Sequence, residues 1–186
     1  MSKFDIKTLE IAGFRGALEA LRLPFGKECR SLTNYVWSDM ECAHSFDYDT
    51  TISGDSRDFM LMRTLIKRGD EHAKVLRGIV VWAQIEAPIW LYRELETYRV
   101  GRERLSSEST LHIECKGLSG EELESAKDAI PMGHIQKTVD MFSYQTLRRI
   151  YYQRRNHRLP MWHEFCEWIK TLPFADELIT VEDIKE

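Results

Sequence analysis

The sequence is short of several features that would each announce a class of protein. Its four cysteines, Cys29, Cys42, Cys115 and Cys166, include no C-x-x-C pair, and a chain of 186 residues can bury enough core to fold without disulfide staples. Reduced thiols in the cytoplasm are the expectation. The start, Met-Ser-Lys-Phe-Asp, carries no apolar signal-like stretch. The best apolar run, Gly78 to Ala83, stops at Gln84 and Glu86, well short of the roughly 20 residues a membrane span requires. No linker, repeat or low-complexity tract divides the chain, so residues 1–186 are expected to form one domain. Positive charge is in the minority, with 26 Lys and Arg against 30 Asp and Glu. The net charge of −4 argues against bulk binding of nucleic acid.

What the chain does have is an ordinary globular balance, 43% hydrophobic and 30% charged, arranged in alternating strand and helix patterns. Phe4 to Ile11 alternates as a strand. Residues 14–22 have helical spacing and end before Pro24 and Gly26. Residues 27–55 are polar, aromatic and irregular, a length usually reserved for functional or mobile loops. Ser56 is placed to cap a helix that runs to Lys67 and stops at Gly69. Ile79 to Glu86 reads as a buried strand, and Pro88 as the first turn of a helix from Ile89 to about Glu96. Residues 97–109 read as loop or broken helix. Ser119 and Glu122 have capping-box spacing, and a long helix is expected from about His134 to Asn156, then another from Met161 to Leu172. The acidic tail from about residue 175 is expected to be loosely held.

Arginine is concentrated twice, in Arg93, Arg99, Arg102 and Arg104, and in Arg148, Arg149, Arg154, Arg155 and Arg158. A planar guanidinium suits phosphate and carboxylate, so two clusters distant in sequence suggest a phosphorylated ligand held between them. The plain alternative is a solvated helix face paired with Glu94, Glu96 and Glu103. The stretch from Arg148 to Arg158 is also a candidate nucleic-acid-binding helix, a signal of low specificity.

Leu65 to Lys74, followed by Ile79 to Arg93 with its Ala87-Pro88-Ile89, resembles the flavin-dependent thymidylate synthases, the ThyX family. Those proteins have a helix, a Gly-His-Glu segment, a strand, Ala-Pro and a helix, and then R-H-R-x-x-S-x-N-E-x-S. Here Gly69-Asp70-Glu71, the strand and Ala87-Pro88 fall in the same order. The Arg-His-Arg positions fall on Thr97, Tyr98 and Arg99, the serine on Ser107, and the Asn-Glu pair on Arg104 and Leu105. A shifted register would set Arg102-Glu103-Arg104 against Arg-His-Arg but breaks the spacing from Ala87-Pro88. Leu147 to Arg154, Asn156-His157 and Trp162-His163-Glu164 resemble the family's C-terminal helix. The chain is more similar still to an uncharacterised branch of this superfamily seen in phages and bacteria, through Gly69 to His72, Thr97 to Gly101, Ser109 to His112, Arg155 to His157 and Trp162 to Trp168.

The resemblance implies an α+β fold with a mixed or antiparallel sheet packed with helices and long C-terminal helices. It also implies a pyrimidine deoxynucleotide such as dUMP as substrate, methylated or hydroxymethylated with FAD, methylenetetrahydrofolate and NADPH. A homo-oligomer, a tetramer in the family, is implied too. In such a site the protein orients the reactants and stabilises charge developing on the uracil. Carried over, the resemblance assigns substrate binding to Arg93, Arg99, Ser107, Ser109, Arg154 and Arg155. It assigns cofactor contacts to His72, Tyr98, Arg99 and Arg102, and catalytic roles to Ser107, Arg99 and His112. Thr97 and Leu105 depart from the motif. Tyr98 is read either as a stacking surface or as core packing; His72 and His112 are read either as acid–base groups or as structural histidines. No metal site is expected, since His157 and His163 do not share a helical face. Trp162, Phe165, Trp168 and Ile169 have core spacing, and Cys166 is an inert thiol among them. A non-catalytic nucleotide-binding or assembly protein of the same fold is the alternative to the enzyme.

Overall fold

The computed structural model describes residues 4–27 and 57–182. The irregular segment expected over 27–55, its Cys29 and Cys42, and the cap at Ser56 lie almost wholly outside them. In chain order the described elements are β1 (Asp5–Ala12), α1 (Phe14–Arg22), α2 (Arg57–Ile66), β2 (Val80–Pro88), α3 (Ile89–Leu95), β3 (Arg102–Ser107), α4 (Gly120–Asp128), β4 (Ile135–Ser143), α5 (Tyr144–Arg154), α6 (Pro160–Lys170) and α7 (Ala175–Leu178). The described strands form one antiparallel sheet in the order β1-β2-β4-β3. The fold is therefore α+β, as expected.

Alternation in β2 explains the sheet's inner face. Val81, Ala83, Ile85 and Ala87 are buried while their neighbours are half-exposed. Opposite residues of an antiparallel pair share a face, so Phe142, Asp140 and Thr138, across from Val81, Ala83 and Ile85, also point inward. So do Arg102 and Arg104, which pair with Phe142 and Asp140. Phe142 packs edge-on against Phe165 and Trp168 of α6, and Trp162 is fully buried beside Phe165. The apolar stripe of α6 thus covers the inner face, each fully buried large side chain contributing about 1.5–3 kcal/mol.

Several expectations are corrected. Residues 102–107, read as loop, form β3; its polar side chains hid the alternation, and the register slips between Arg104 and Ser106. The helix expected from His134 to Asn156 is a strand followed by a helix, β4 then α5. Here the inward positions of β4 include Thr138 and Asp140, so hydrophobic periodicity gave no strand signal. The change falls at Ser143, whose hydroxyl accepts the Thr146 N–H and caps α5. Pro88 is the last residue of β2 and precedes α3 in extended conformation rather than entering its first turn. Ser119 precedes α4 without a side-chain cap bond. The tail is packed as far as Val181: Leu178 and Ile179 are fully buried, and the Arg148 guanidinium donates to the carbonyls of Ile179 and Val181 at 2.8 and 2.6 Å. No helix among the described residues is long and apolar enough to cross a membrane.

Candidate functional site

The site begins where α3 ends. After the tight turn Glu96–Tyr98 the chain must reverse into β3, and it does so at Gly101 with φ 81°. A β-carbon there would fall 2.4 Å from the Thr146 hydroxyl and 2.7 Å from that of Ser143, so glycine is required on both conformational and steric grounds. The Ser143 N–H donates to the Gly101 carbonyl at 2.7 Å and the Thr146 hydroxyl to that of Val100 at 2.8 Å. These bonds fix the turn against the first turn of α5. On the other side of that turn, Gln145 donates to Asp70 Oδ1 at 2.8 Å and accepts from Arg77 Nε at 2.6 Å. Arg149 Nη2 reaches Asp70 Oδ2 at 2.6 Å. Burial pushes the Asp70 carboxyl upward, but the hydrogen bonds and charge of Arg149, with the Gln145 bond, outweigh it and hold it below the ordinary carboxylate range. Two segments the resemblance singled out, 69–72 and 97–101, therefore flank the start of one helix.

Outside the Gly101 turn lies an open depression of about 440 Å³, lined by Glu96, Arg99, Val100, Arg102, Glu103 and Arg104. Its floor is charged. Arg102, with its side chain 2% exposed, places Nη2 2.5 Å from Oδ1 of the fully buried Asp140 and Nη1 3.3 Å from Glu96. Arg104 lies over the Tyr92 ring at 4.8 Å, 3.6 Å from Glu96 and 3.8 Å from Asp140. The Thr138 hydroxyl donates to the other Asp140 oxygen. Proximity exceeds alignment here: Nε and Nη2 of both arginines and Oδ1 of Asp140 make no hydrogen bond among the described residues. Burial pushes the Tyr92 hydroxyl up to about 12, so it stays protonated and donates to the carbonyls of Ile85 and Gln136.

The residues expected to form one site are distributed between the two ends of β3. Arg99 is exposed and has no ion-pair partner among the described residues, as is Arg93 on α3. Ser107 is exposed at the far end of β3, roughly 15 Å along the strand from Arg102. Ser109 and His112 follow it, the Ser109 carbonyl accepting the His112 N–H at 3.0 Å. His72 is exposed beside Glu71 at 4.0 Å. Arg102, expected at a cofactor, is buried on Asp140, because its strand position points inward.

Tyr98 and Arg154 are also turned to internal use. Tyr98 is 5% exposed and edges against Trp162; its hydroxyl donates to Gln153 at 2.9 Å and accepts from Arg154 Nε at 2.8 Å. Arg154 stacks over Trp162 at 4.5 Å, with Glu94 at 3.4 Å and His157 Nε2 at 3.0 Å. The core-packing reading of Tyr98 is the one the geometry favours. Of the five arginines of the second cluster, Arg148 serves the tail, Arg149 serves Asp70 and Arg155 pairs with Glu182 at 3.4 Å. Arg154 is occupied as well, so four of the five are engaged with their own chain, and Arg158 is exposed with no ion-pair partner among the described residues. Cys166 is a free, buried thiol pushed up to about 11 by burial, consistent with an inert core position. Among the described residues no group of His, Cys, Asp and Glu is arranged to hold a metal ion. Asp140 was not marked by any motif, its one clue being its alternation with Thr138 and Phe142, whereas Glu96 was expected to pair with the first arginine group and does so with Arg102 and Arg104.

No protein-family model and no curated protein sequence matches the chain. Solved structures do. The flavin-dependent thymidylate synthase ThyX from Helicobacter pylori, complexed with FAD and dUMP, aligns with a TM-score of 0.67 over 97% of this chain and 100% of its own, at 13% identity. PolB from Streptomyces cacaoi, a UMP/dUMP methylase bound with 5-Br dUMP, aligns with a TM-score of 0.63 over 97% of this chain and 96% of its own, at 12% identity. The chain has the ThyX fold over nearly its whole length. Identity this low carries the architecture and leaves the site to be argued from its own residues.

A flavin tests those residues directly. At the depression the one aromatic side chain of the Thr97-Tyr98-Arg99 segment is buried with its hydroxyl engaged, and Arg102 is committed to Asp140. At this depression the described residues thus offer an anion contact through Arg99 and no exposed aromatic ring for an isoalloxazine.

Proposed function

We propose that this chain is a ThyX-fold enzyme acting on a pyrimidine deoxynucleotide, in the reaction class of methylating or hydroxymethylating dUMP or a related nucleotide. The observation that carries the reading is the near-complete structural alignment with proteins whose solved structures hold dUMP or 5-Br dUMP, one of them together with FAD. Arg99, exposed beside the 96–104 depression and without an ion-pair partner among the described residues, supports it as an anchor for the nucleotide's phosphate or pyrimidine oxygen. Arg93, Ser107, Ser109 and Arg155 are secondary candidates for substrate contacts, and His112 for proton transfer. FAD, methylenetetrahydrofolate and NADPH are the co-reactants of this reading. At the depression the described residues carry no exposed aromatic ring for a flavin to stack on, so the flavin part of the reading is supported by the FAD of the neighbouring structure. Assembly into a homo-oligomer belongs to the same proposal.

A second reading is favoured by the internal use of Arg102, Tyr98 and Arg154: a nucleotide-binding protein that has kept the fold without catalysis. One preparation separates them. The purified chain is examined by visible absorption before and after FAD addition, and titrated calorimetrically with dUMP. Flavin absorption together with nucleotide binding is the outcome expected of the enzyme. Nucleotide binding by a chain that takes up no flavin supports the second reading, and absence of both sinks the two together.

A further inference from the structure

Among the described residues the sheet is packed on one face and not on the other. Its inner face carries Val81, Ala83, Ile85, Ala87 and Phe142 into the core cluster, together with side chains of α1, α2, α3, α5 and α6. The outward residues of the two central strands are largely apolar too. Val80, Trp82, Val139 and Met141 are half-buried, yet none belongs to that cluster or packs against it. Strand register sets these residues side by side. Trp82 stands between Glu10 of β1 and Met141 of β4, and Met141 stands beside Glu103 of β3. One step along, Val139 lies between Gln84 and Ser106. Both edge strands slip register at this level, and the extra residue is a leucine each time. Leu9 shares the place of Glu10 opposite Trp82, Leu105 that of Ser106 opposite Val139, and both leucines are exposed. An apolar band thus crosses all four strands, from Leu9 through Trp82, Met141 and Val139 to Leu105.

The solvated face of an antiparallel sheet is ordinarily polar. A face that is apolar along its middle and charged at its rim has the anatomy of an interface. Size and charge decide what covers it. Four strands about 4.8 Å apart make the band about 14 Å wide, room for a single helix of about 10–12 Å diameter. The inner face shows the same solution, with the apolar stripe of α6 laid against Phe142. At the rim Glu86 pairs with Lys137 at 3.2 Å, whereas Asp5, Glu10 and Glu103 are exposed and have no ion-pair partner among the described residues. Against these three carboxylates the described residues of the face set one free cation, Lys7. The helix that fits is apolar on one side and cationic along its flanks.

We propose that the outer sheet face is a docking site for a basic amphipathic helix of another protein. The partner's apolar stripe lies over Trp82, Met141 and Val139, and its cations meet Asp5, Glu10 and Glu103. The site makes no use of Arg99 and stands whether or not the chain binds a nucleotide. Glu103 also borders the 96–104 depression and is therefore left unchanged in the variants. The probe is a labelled peptide of about 18 residues, leucine and lysine only, with leucines at i, i+3, i+4 and i+7. It is titrated into the full chain and read by fluorescence anisotropy. Saturable binding that weakens with salt is expected, with the same peptide carrying glutamate for lysine about tenfold or more weaker. Leu9→Ser with Leu105→Ser, and separately Asp5→Lys with Glu10→Lys, should each weaken binding about tenfold. All four sites are exposed, so both variants should keep the wild-type circular dichroism. Glu121→Lys with Glu124→Lys, on the acidic and exposed α4, is the control for attraction by charge alone and should change affinity by less than about twofold. A peptide that does not bind overturns the proposal, as do band variants that bind like the wild type or an α4 variant that loses as much affinity as they do. So does a wild-type chain that sediments as a dimer while the leucine variant is a monomer, because the occupant is then a second copy.

Discussion

The two arginine groups of this chain look alike in sequence and differ in what the fold does with them. In the second group, from Arg148 to Arg158, four of the five guanidinium groups meet their own chain, through backbone carbonyls, Asp70, Tyr98 with Glu94, or Glu182, and Arg158 has no ion-pair partner among the described residues. In the first, the two arginines on β3 turn inward to Asp140 and Glu96, whereas Arg93 and Arg99 on and after α3 stay exposed and unpaired among the described residues. A count of cations therefore says little about ligand binding. What matters is whether the strand or helix phase points each one at an internal acid. The candidate site is correspondingly small, centred on Arg99 at the rim rather than on nine arginines.

Breaking the buried side of that comparison should have the largest effect. Asp140→Ala leaves the Arg102 charge buried without its closest partner and should cost about 3–5 kcal/mol in urea unfolding. A loss under about 1 kcal/mol would mean that Glu96 and water carry that charge. The contrast sharpens with a pair of variants read by two assays. Arg154→Ala removes the bond to the Tyr98 hydroxyl and the stacking on Trp162, so stability should fall by about 1–3 kcal/mol. Arg99→Ala should change stability by less than about 0.5 kcal/mol. Calorimetric titration with dUMP should show the reverse order, Arg99→Ala weakening binding by about tenfold. If Arg154→Ala instead abolished binding in a stably folded chain, the internal assignment of Arg154 would be wrong.

The smallest effect is expected at Asp70, whose pairing with Arg149 is 43% exposed on the carboxylate side. Its folded carboxyl titrates below the ordinary value, so the stabilisation is present in full above that value. It is lost as pH falls through the folded one. Asp70→Asn should therefore be slightly less stable than the wild type near neutrality, by under about 1 kcal/mol because solvent screens the pair. The two stability curves should converge as the carboxyl protonates in acid. Curves that run parallel down to strong acid would show that the Gln145 bonds, which an amide can partly keep, account for the contribution instead.

The sequence by itself determined the strands β1 and β2 and the helices α1, α2, α3 and α6, because apolar periodicity and turn chemistry are local properties. It also indicated the architecture, through the ordered set from Gly69 to Ile89. Tertiary structure alone decided that residues 102–107 and 135–143 are paired strands. Their inward positions are Arg102, Arg104, Asp140 and Thr138, polar and charged residues brought together across the ladder, which leave no hydrophobic alternation to read. The same holds for availability of charge. Glu94, Asp70 and Glu182 stand far in sequence from the arginines they meet, so only the folded chain could separate the cations it uses itself from those it leaves at the surface.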